Sequence, residues 1–416
     1  MRNLVRVLVV SLLSLAAVAQ SPPTVMHTTE DYLFLLRGDR LLQFDIHSLE
    51  LLKSVVVPGE EVTQPGGSTL RTTTKPKTVS SNASGTNAAE MVTAGLDWLA
   101  AQQREDGSFP GDKTASTRTV HEIGVTGLAV LAFLGDGNTL REGPHRASLK
   151  RAVMWLREQQ DPKTGQIGTA NCAEFIYDHA IAALALSEAY GLSESKSLKQ
   201  NVQLALNYLE SHRNPYGVWR YQPRDGDNDT SVTTWCTMAL RSGQDFGLEV
   251  NPTAMEMVQA WVEQMTDPTT GRVGYTERGG YSSRRTGGHS DTHPRENNEA
   301  MTAAGMLCLM LVGERDAAEP VSSAQEKLLM AKPPEWASGK VDEYAWYLGS
   351  LVAPSLGTKS RSAWNSSLLA ACKRGQRADG SFEPIGVWAQ DGGPVYSTSL
   401  LCLALETQIR LGRLSR

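Results

Sequence analysis

The chain has 416 residues, 40% of them apolar, with 40 Lys+Arg against 45 Asp+Glu and a formal net charge of −5. That length allows one large domain or two modest ones, and the mildly negative balance excludes the basic footprint with which proteins hold nucleic acid or anionic lipid. The five cysteines, Cys172, Cys236, Cys308, Cys372 and Cys402, are odd in number, widely spread and mostly set in apolar runs. They are expected as small buried hydrophobes, not as a disulfide framework.

The chain opens with Arg2 and Arg6, an apolar run over residues 7–15, and Ala17-Val18-Ala19. This is a signal-peptide layout, with cleavage expected after Ala19 and a secreted or periplasmic product. No later run approaches the roughly 20 apolar residues of a membrane helix. Residues 28–58 read as a small β module: Tyr32-Leu33-Phe34-Leu35-Leu36, Leu41-Leu42-Gln43-Phe44 and residues 49–57 alternate with turns. The pattern resembles one repeat of the β-propeller type. A lone blade is marginal, so it is expected to pack on the main domain, on an envelope protein partner, or on nothing stable. Residues 59–88 are rich in Thr, Ser, Gly, Pro and Lys and read as a flexible linker.

From residue 89 to 416 the sequence repeats. A helix carrying Trp98-Leu99 ends in Gln103-Arg104-Glu105-Asp106-Gly107-Ser108-Phe109, and Gln376-Arg377-Ala378-Asp379-Gly380-Ser381-Phe382 returns near the other end. Between them, Trp155 leads to Asp161-Pro162-Lys163-Thr164-Gly165, Tyr208 to Asn214-Pro215-Tyr216-Gly217, and Trp261 to Asp267-Pro268-Thr269-Thr270-Gly271, at a spacing of about 53–57 residues. The first helix of each unit is amphipathic. The second, as in residues 124–134, 180–186, 232–240, 300–311 and 399–405, is apolar or small on nearly every side and is therefore buried all round. Residues 323–329 with 342–352 supply the fifth unit and 364–372 with 396–405 the sixth. The expected fold is all-α: an (α/α)6 toroid, a double ring of helices.

The repeated Gln-x-x-Asp-Gly-Ser-Phe helix end resembles the prenyltransferase/squalene oxidase repeat family, which includes terpenoid cyclases and protein prenyltransferases. The strings Gly217-Val218-Trp219-Arg220-Tyr221, 229–235 and Val395-Tyr396-Ser397-Thr398 look like a secreted branch common in planctomycetes. The resemblance implies two chemistries. Cyclases of this kind use the middle acid of Asp-x-Asp-Asp-Thr as proton donor. Here Asp225-Gly226-Asp227-Asn228-Asp229-Thr230 puts Asn228 at that place, leaving Asp227 and Asp229 as imperfect substitutes. Zinc prenyltransferases use Asp, Cys and His. Asp342 is kept, but Tyr344 and Ser397 stand near the Cys and His places, so no metal or other cofactor is expected.

Two features come from the residues alone. His289-Ser290-Asp291-Thr292-His293 could hold a divalent metal, but Arg284, Arg285 and Arg295 oppose a cation, so the loop is expected to be solvated. Polar groups also gather where the inner helices begin: His121, Glu122, Tyr177, Asp178, His179, Asp227, Asp229, Asn298, Glu299, Asp342, Tyr344 and Tyr396. In a toroid these ends converge on one mouth of a central cavity. The expected function is binding of a small molecule, isoprenoid, glycan or peptide there. The alternatives are an acid/base enzyme of cyclase or lyase type using Asp227, Asp229 or His179, and an envelope scaffold. His179, next to Asp178 in the chain, is expected to keep its proton to higher pH than a free imidazole.

Overall fold

The computed structural model describes residues 24–28, 32–37, 40–45, 51–56, 83–111, 121–285, 288–313 and 320–414. The expected signal segment and most of the expected linker lie outside the described residues. Residues 15–79 form a unit apart from the helical one. In it the strands β1 (Thr24–Thr28), β2 (Tyr32–Arg37), β3 (Arg40–Asp45) and β4 (Leu51–Val56) pair antiparallel in chain order. Strand pairing of this extent does not by itself make a stable module, because so small a sheet is marginal in water.

The helical unit alternates outer and inner helices. The outer ones are α1 (Ala83–Gln102), α3 (Arg146–Glu158), α5 (Lys199–His212), α7 (Pro252–Met265), α9 (Pro320–Met330) and α11 (Thr358–Gly375). The inner ones are α2 (Glu122–Gly135), α4 (Phe175–Leu192), α6 (Thr230–Asp245), α8 (Ala300–Val312), α10 (Glu343–Val352) and α12 (Ala389–Leu414). Each inner helix packs on the next, and α12 packs on α2, so the inner ring is closed. Burial follows the sequence pattern. All of Gly124 to Gly135 in α2 is buried, whereas α3 buries Leu149, Ala152, Val153, Trp155 and Leu156 and turns its Lys and Arg residues outward. Helix α1 starts at Ala83, ahead of the expected boundary at residue 89. Helix α12 is broken at Gly393 (φ 63°, ψ −160°), and Pro394 then starts its long continuous part.

The repeated helix end is a clasp. The carboxylates of Asp106, Asp161, Asp267 and Asp379 each accept backbone N–H groups of the turn that follows them. In three units a glutamine then ties the turn to the neighbouring outer helix. Gln103 Nε2 donates to the Gly107 carbonyl (3.0 Å) and to Ser148 O on α3 (2.9 Å), and Gln160 Nε2 to Gly165 O (3.1 Å) and to Asn201 O on α5 (2.9 Å). Gln376 Nε2 donates to Gly380 O (3.0 Å) and to Met91 O on α1 (2.8 Å), which joins the last unit to the first. Glycine is required in this turn. Gly380 has φ +92°, and a Cβ there would lie 2.2 Å from the Ala94 carbonyl oxygen.

Beyond the turn, the chain hangs on the inner helix by one recurring bond. The backbone N–H of Phe109 donates to Thr126, of Trp219 to Thr233, of Val273 to Thr302 and of Phe382 to Thr398. In the second unit the donor is Ile167 and the acceptor is His179 Nδ1, at 3.0 Å.

Removing the last clasp tests ring closure. Gln376→Ala leaves two carbonyls short of a donor and is expected to cost about 1–3 kcal/mol, and Gly380→Ala more, because its added Cβ meets backbone. Denaturant unfolding measures both. A wild-type midpoint for Gln376→Ala would mean that closure does not depend on this residue.

Candidate functional site

The six inner helices begin at one end of the ring, where a cavity of about 900 Å³ opens. Its wall carries seven large aromatics: Tyr177, Tyr221, Trp235, Tyr275, Tyr344, Trp388 and Tyr396. Trp235 stacks on Tyr344, with centroids 5.9 Å apart and planes 18° apart, so one side of the wall is a continuous aromatic face. Between the aromatics lie Val125, Leu128, Ile181 and Met301, and the charged or polar groups His121, Glu174, Asp178, Arg284, Arg285, His289, Asp342, Gln390 and Asp391.

His121 and Asp178 form one built pair. His121 Nδ1 lies 3.0 Å from Asp178 Oδ2, while Asp178 Oδ1 accepts the N–H of Gly124 at 3.2 Å. Asp178, on α4, thereby satisfies a free amide at the start of α2. Residue 124 is glycine because a Cβ there would lie 2.4 Å from Asp178 Oδ1. Burial opposes the charged imidazolium, but the hydrogen bond and charge of Asp178 outweigh it and raise the His121 pKa.

Asp229 forms the second polar element, one layer behind the wall. It caps α6 through Oδ1, which accepts the Val232 N–H at 2.7 Å, and its Oδ2 accepts the Tyr275 hydroxyl at 3.1 Å. The Tyr275 and Tyr221 hydroxyls are 2.8 Å apart. When Asp229 is ionised, Tyr275 donates to it and Tyr221 donates to Tyr275. Arg220 lies over both rings, 5.3 and 5.8 Å from their centroids, with Nε 3.7 Å from Asp229 Oδ2. Complete burial raises the Asp229 pKa to about 7 against the Val232 amide, Tyr275 and Arg220, which all lower it.

The segment between α7 and α8 is only in part the solvated loop expected from its composition: Asp291, Thr292, Arg295 and Glu296 are exposed. Ser282 and Arg284 are buried, and Arg284 donates to the carbonyls of His293 and Ser283 at 2.8 Å each. Arg285 pairs with Asp391. His289 Nδ1 accepts the Arg285 N–H and Nε2 donates to Val387 O, so one ring nitrogen serves the loop's own fold and the other ties the loop to the segment before α12. Among the described residues no three His, Cys, Asp or Glu side chains converge as metal ligands.

The polar residues picked out from sequence therefore divide. His121, Tyr177, Asp178, Asp342, Tyr344 and Tyr396 line the cavity. Asp342 also caps α10 through the Ala345 N–H and accepts from Asn298 Nδ2 at 2.8 Å, and burial raises its pKa. The other six, Asp229 among them, do not line it. Asn298 is spent on Asp342, Glu299 on an ion pair with Arg272, and Glu122 on Arg104 at the surface. Asp227 is largely exposed beside Arg220. His179 is fully buried, holding the Ile167 N–H and donating Nε2–H to Ala205 O. It makes no pair with Asp178, because consecutive side chains on a helix point about 100° apart. Burial lowers its pKa to about 3, the reverse of the direction expected from sequence.

Tyr221, Tyr275, Trp235, Trp388, Arg284, Arg285 and Asp391 line the cavity without having been picked out. They come from loops and helix interiors, and only Tyr221 and Trp235 lie in strings that carry the family resemblance.

Three solved structures are similar in fold. The type II terpene cyclase MstE from Scytonema matches with a TM-score of 0.55 at 14% identity, covering 79% of this chain and 99% of that one. A variant of MstE in complex with geranylgeranyl dihydroxybenzoate, its substrate, gives 0.53 at 13%, covering 78% and 98%. An inactive variant of the α-1,6-mannanase GH76A of Salegentibacter sp., in complex with α-1,6-mannotriose, gives 0.54 at 12%, covering 79% and 99%. Identities this low show the fold alone: the chain is an α/α toroid protein. No protein-family model matches the sequence, and neither does any curated protein.

The architectural role of His179 has a pH signature. Its folded pKa of about 3 lies below the ordinary 6.5, so the stability it contributes is complete above pH 6.5 and is lost as pH falls toward 3. The stability gap between wild type and His179→Leu should therefore narrow on acidification below pH 6.5, by up to about 1.4 kcal/mol per pH unit. Urea unfolding at several pH values reads this. A gap constant with pH would mean that His179 takes up its proton in the folded chain as readily as in the unfolded one.

Proposed function

We propose that the protein binds a small organic ligand with an apolar, ring-stacking or isoprenoid body in the cavity at the N-terminal ends of its inner helices. The observation behind this is the wall itself: seven Tyr and Trp side chains around a space of about 900 Å³. Such a volume suits a drug-sized molecule, and aromatic faces attract both apolar bodies and cations. The toroid fold is compatible with the reading, since the MstE and mannanase structures hold an isoprenoid substrate and a glycan. At the Cys and His places of the zinc prenyltransferase pattern, Tyr344 is stacked on Trp235 and Ser397 Oγ donates to Glu343 at 2.8 Å.

Glycans and peptides are the competing ligands. Binding outside the cytoplasm is part of this proposal, supported by the signal-like composition of residues 2–19, and residues 28–58 are the part proposed to engage an envelope protein.

Native mass spectrometry of the purified exported chain tests for a copurifying ligand, and tryptophan fluorescence titration compares farnesol with mannotriose. Farnesol should quench Trp235 and Trp388 emission, and Trp235→Ala or Tyr344→Ala should weaken it about 2- to 10-fold, the equivalent of about 0.5–1.5 kcal/mol for an aromatic contact. Saturable binding of mannotriose alone would replace the isoprenoid reading with a glycan one.

A further inference from the structure

We propose that the segment between α7 and α8 is a strap that closes the cavity, and that a proton taken up by His289 unclips it, so that mild acid opens the ligand site. The proposal rests on the cavity being a ligand site and adds how that site is entered and left.

The connections from outer to inner helix over residues 159–174, 213–229, 331–342 and 376–388 are short, whereas residues 266–299 make one about twice as long as the longest of these. In a compact domain, connections beyond about 12–15 residues usually have a function of their own. The excess is laid across the ring. Ser283, Arg284, Arg285 and His289 line the cavity. On the far side Arg285 pairs with Asp391, His289 Nε2 donates to Val387 O at 2.9 Å, and His293 Nε2 donates to Ile385 O at 3.4 Å. These partners belong to α12 and the turn before it, while the segment itself leads into α8. Helices α8 and α12 are not neighbours, because α10 packs between them. The clip is therefore a chord across the mouth, over the start of α10.

The ends of the strap are held by contacts that do not involve His289. Arg272 lies 4.3 Å from the centroid of the Tyr281 ring and is itself paired with Glu299, and Asn297 Nδ2 donates to Gly339 O at 2.8 Å. The middle depends on a proton. His289 Nδ1 accepts the Arg285 N–H at 3.1 Å while Nε2 donates to Val387 O, a pair of bonds that only the neutral imidazole protonated on Nε2 can make. A second proton, on Nδ1, sets N–H against N–H.

That proton also brings charge to a crowded place. On the strap, Arg284, Arg285 and His293 face His289, with the His293 ring centroid 5.0 Å away. Asp391 of α12 is already paired with Arg285 and also acts on His121, before α2. Asp342, at the start of α10, acts on Arg284, as do Arg295 and Glu296 further along the strap. Trp388, 5.6 Å from His289, carries no charge. His293 is built otherwise. Protonated, it donates from Nδ1 to Thr292 Oγ1 and from Nε2 to Ile385 O, so its titration breaks neither bond.

Burial lowers the His289 pKa below the ordinary 6.5, and His293, Arg284 and Arg285 lower it further, against the Val387 carbonyl, which raises it. Unclipped, the imidazole returns to its ordinary value. The closed strap is thus fully favoured above pH 6.5 and loses ground as pH falls below it.

Amide hydrogen exchange of the full mature chain on either side of pH 6.5 tests the release. After correction for the intrinsic rate, protection of the Arg285 amide and of residues 288–293 should fall by up to about tenfold per pH unit below 6.5, while the inner helices stay protected. His293→Gln should keep that dependence. His289→Gln should lose it, with equal protection on both sides. Wild-type protection indifferent to acid, or an acid response that survives in His289→Gln, overturns the proposal.

Entry is read by stopped-flow tryptophan fluorescence with farnesol, which has no group that titrates in this range. Its association rate should rise in acid with wild type and stay constant with His289→Gln. A wild-type rate indifferent to pH overturns the strap as the closure of the cavity. Farnesol that binds on neither side of pH 6.5 overturns the ligand reading and the gating with it, while exchange decides the acid release by itself.

Discussion

The glutamine clasp between successive outer helices is the constraint on which the rest of this molecule depends. A helix pair of this kind has a buried inner member that cannot be satisfied alone, so each unit is stable only against its neighbours. Gln103, Gln160 and Gln376 fix that neighbour relation with two carbonyl bonds each, one inside the turn and one across to the next outer helix. The Gln376 bond to Met91 spans 285 positions of sequence, which makes the last repeat the partner of the first. A ring closed in this way brings six helix starts to one mouth.

That geometry decides which polar residues are free for a ligand. A residue in the first turn of an inner helix can face the cavity, the neighbouring helix or the preceding turn, and those directions have different chemistry. His121 and Asp178 face the cavity and each other. His179, one position on, faces the turn and does what threonine does in four other units. Glu343 is likewise turned away. Burial raises its pKa to about 7, and its side-chain partner among the described residues is Ser397, so it belongs to the packing of α10 on α12.

Much of the fold was legible because it repeats. Gln-x-x-Asp-Gly-Ser-Phe at both ends, and Asp-Pro-x-x-Gly between them, mark turns whose glycines need positive φ, and the all-round apolar helices could be buried only inside a second ring. The site was half legible. Helix starts at Tyr177, Asp178, Asp342 and Tyr396 could be found from the repeat, since the ring brings equivalent positions together. Arg284, Arg285 and Trp388 could not, because they reach the cavity through a folded loop and the turn before Gly393, where no period applies. His179 was misread for a physical reason. Its neighbour in sequence is Asp178, but its neighbour in space is the Ile167 amide, and only the alignment of that place with Thr126 and Thr398 would have revealed it.

The central claim is that the aromatic cavity is the site, walled by residues on the same helix ends that carry the scaffold, with Asp178 and Asp342 serving both. A crystal structure of the mature chain soaked with farnesol tests this most directly. The account predicts ligand density between Tyr177, Trp235, Tyr344 and Trp388, with the ligand's polar end within hydrogen-bond reach of Tyr221, and with His179 still holding the Ile167 amide. Density on the outer face of the ring, or a cavity holding only solvent at saturating ligand, would contradict it.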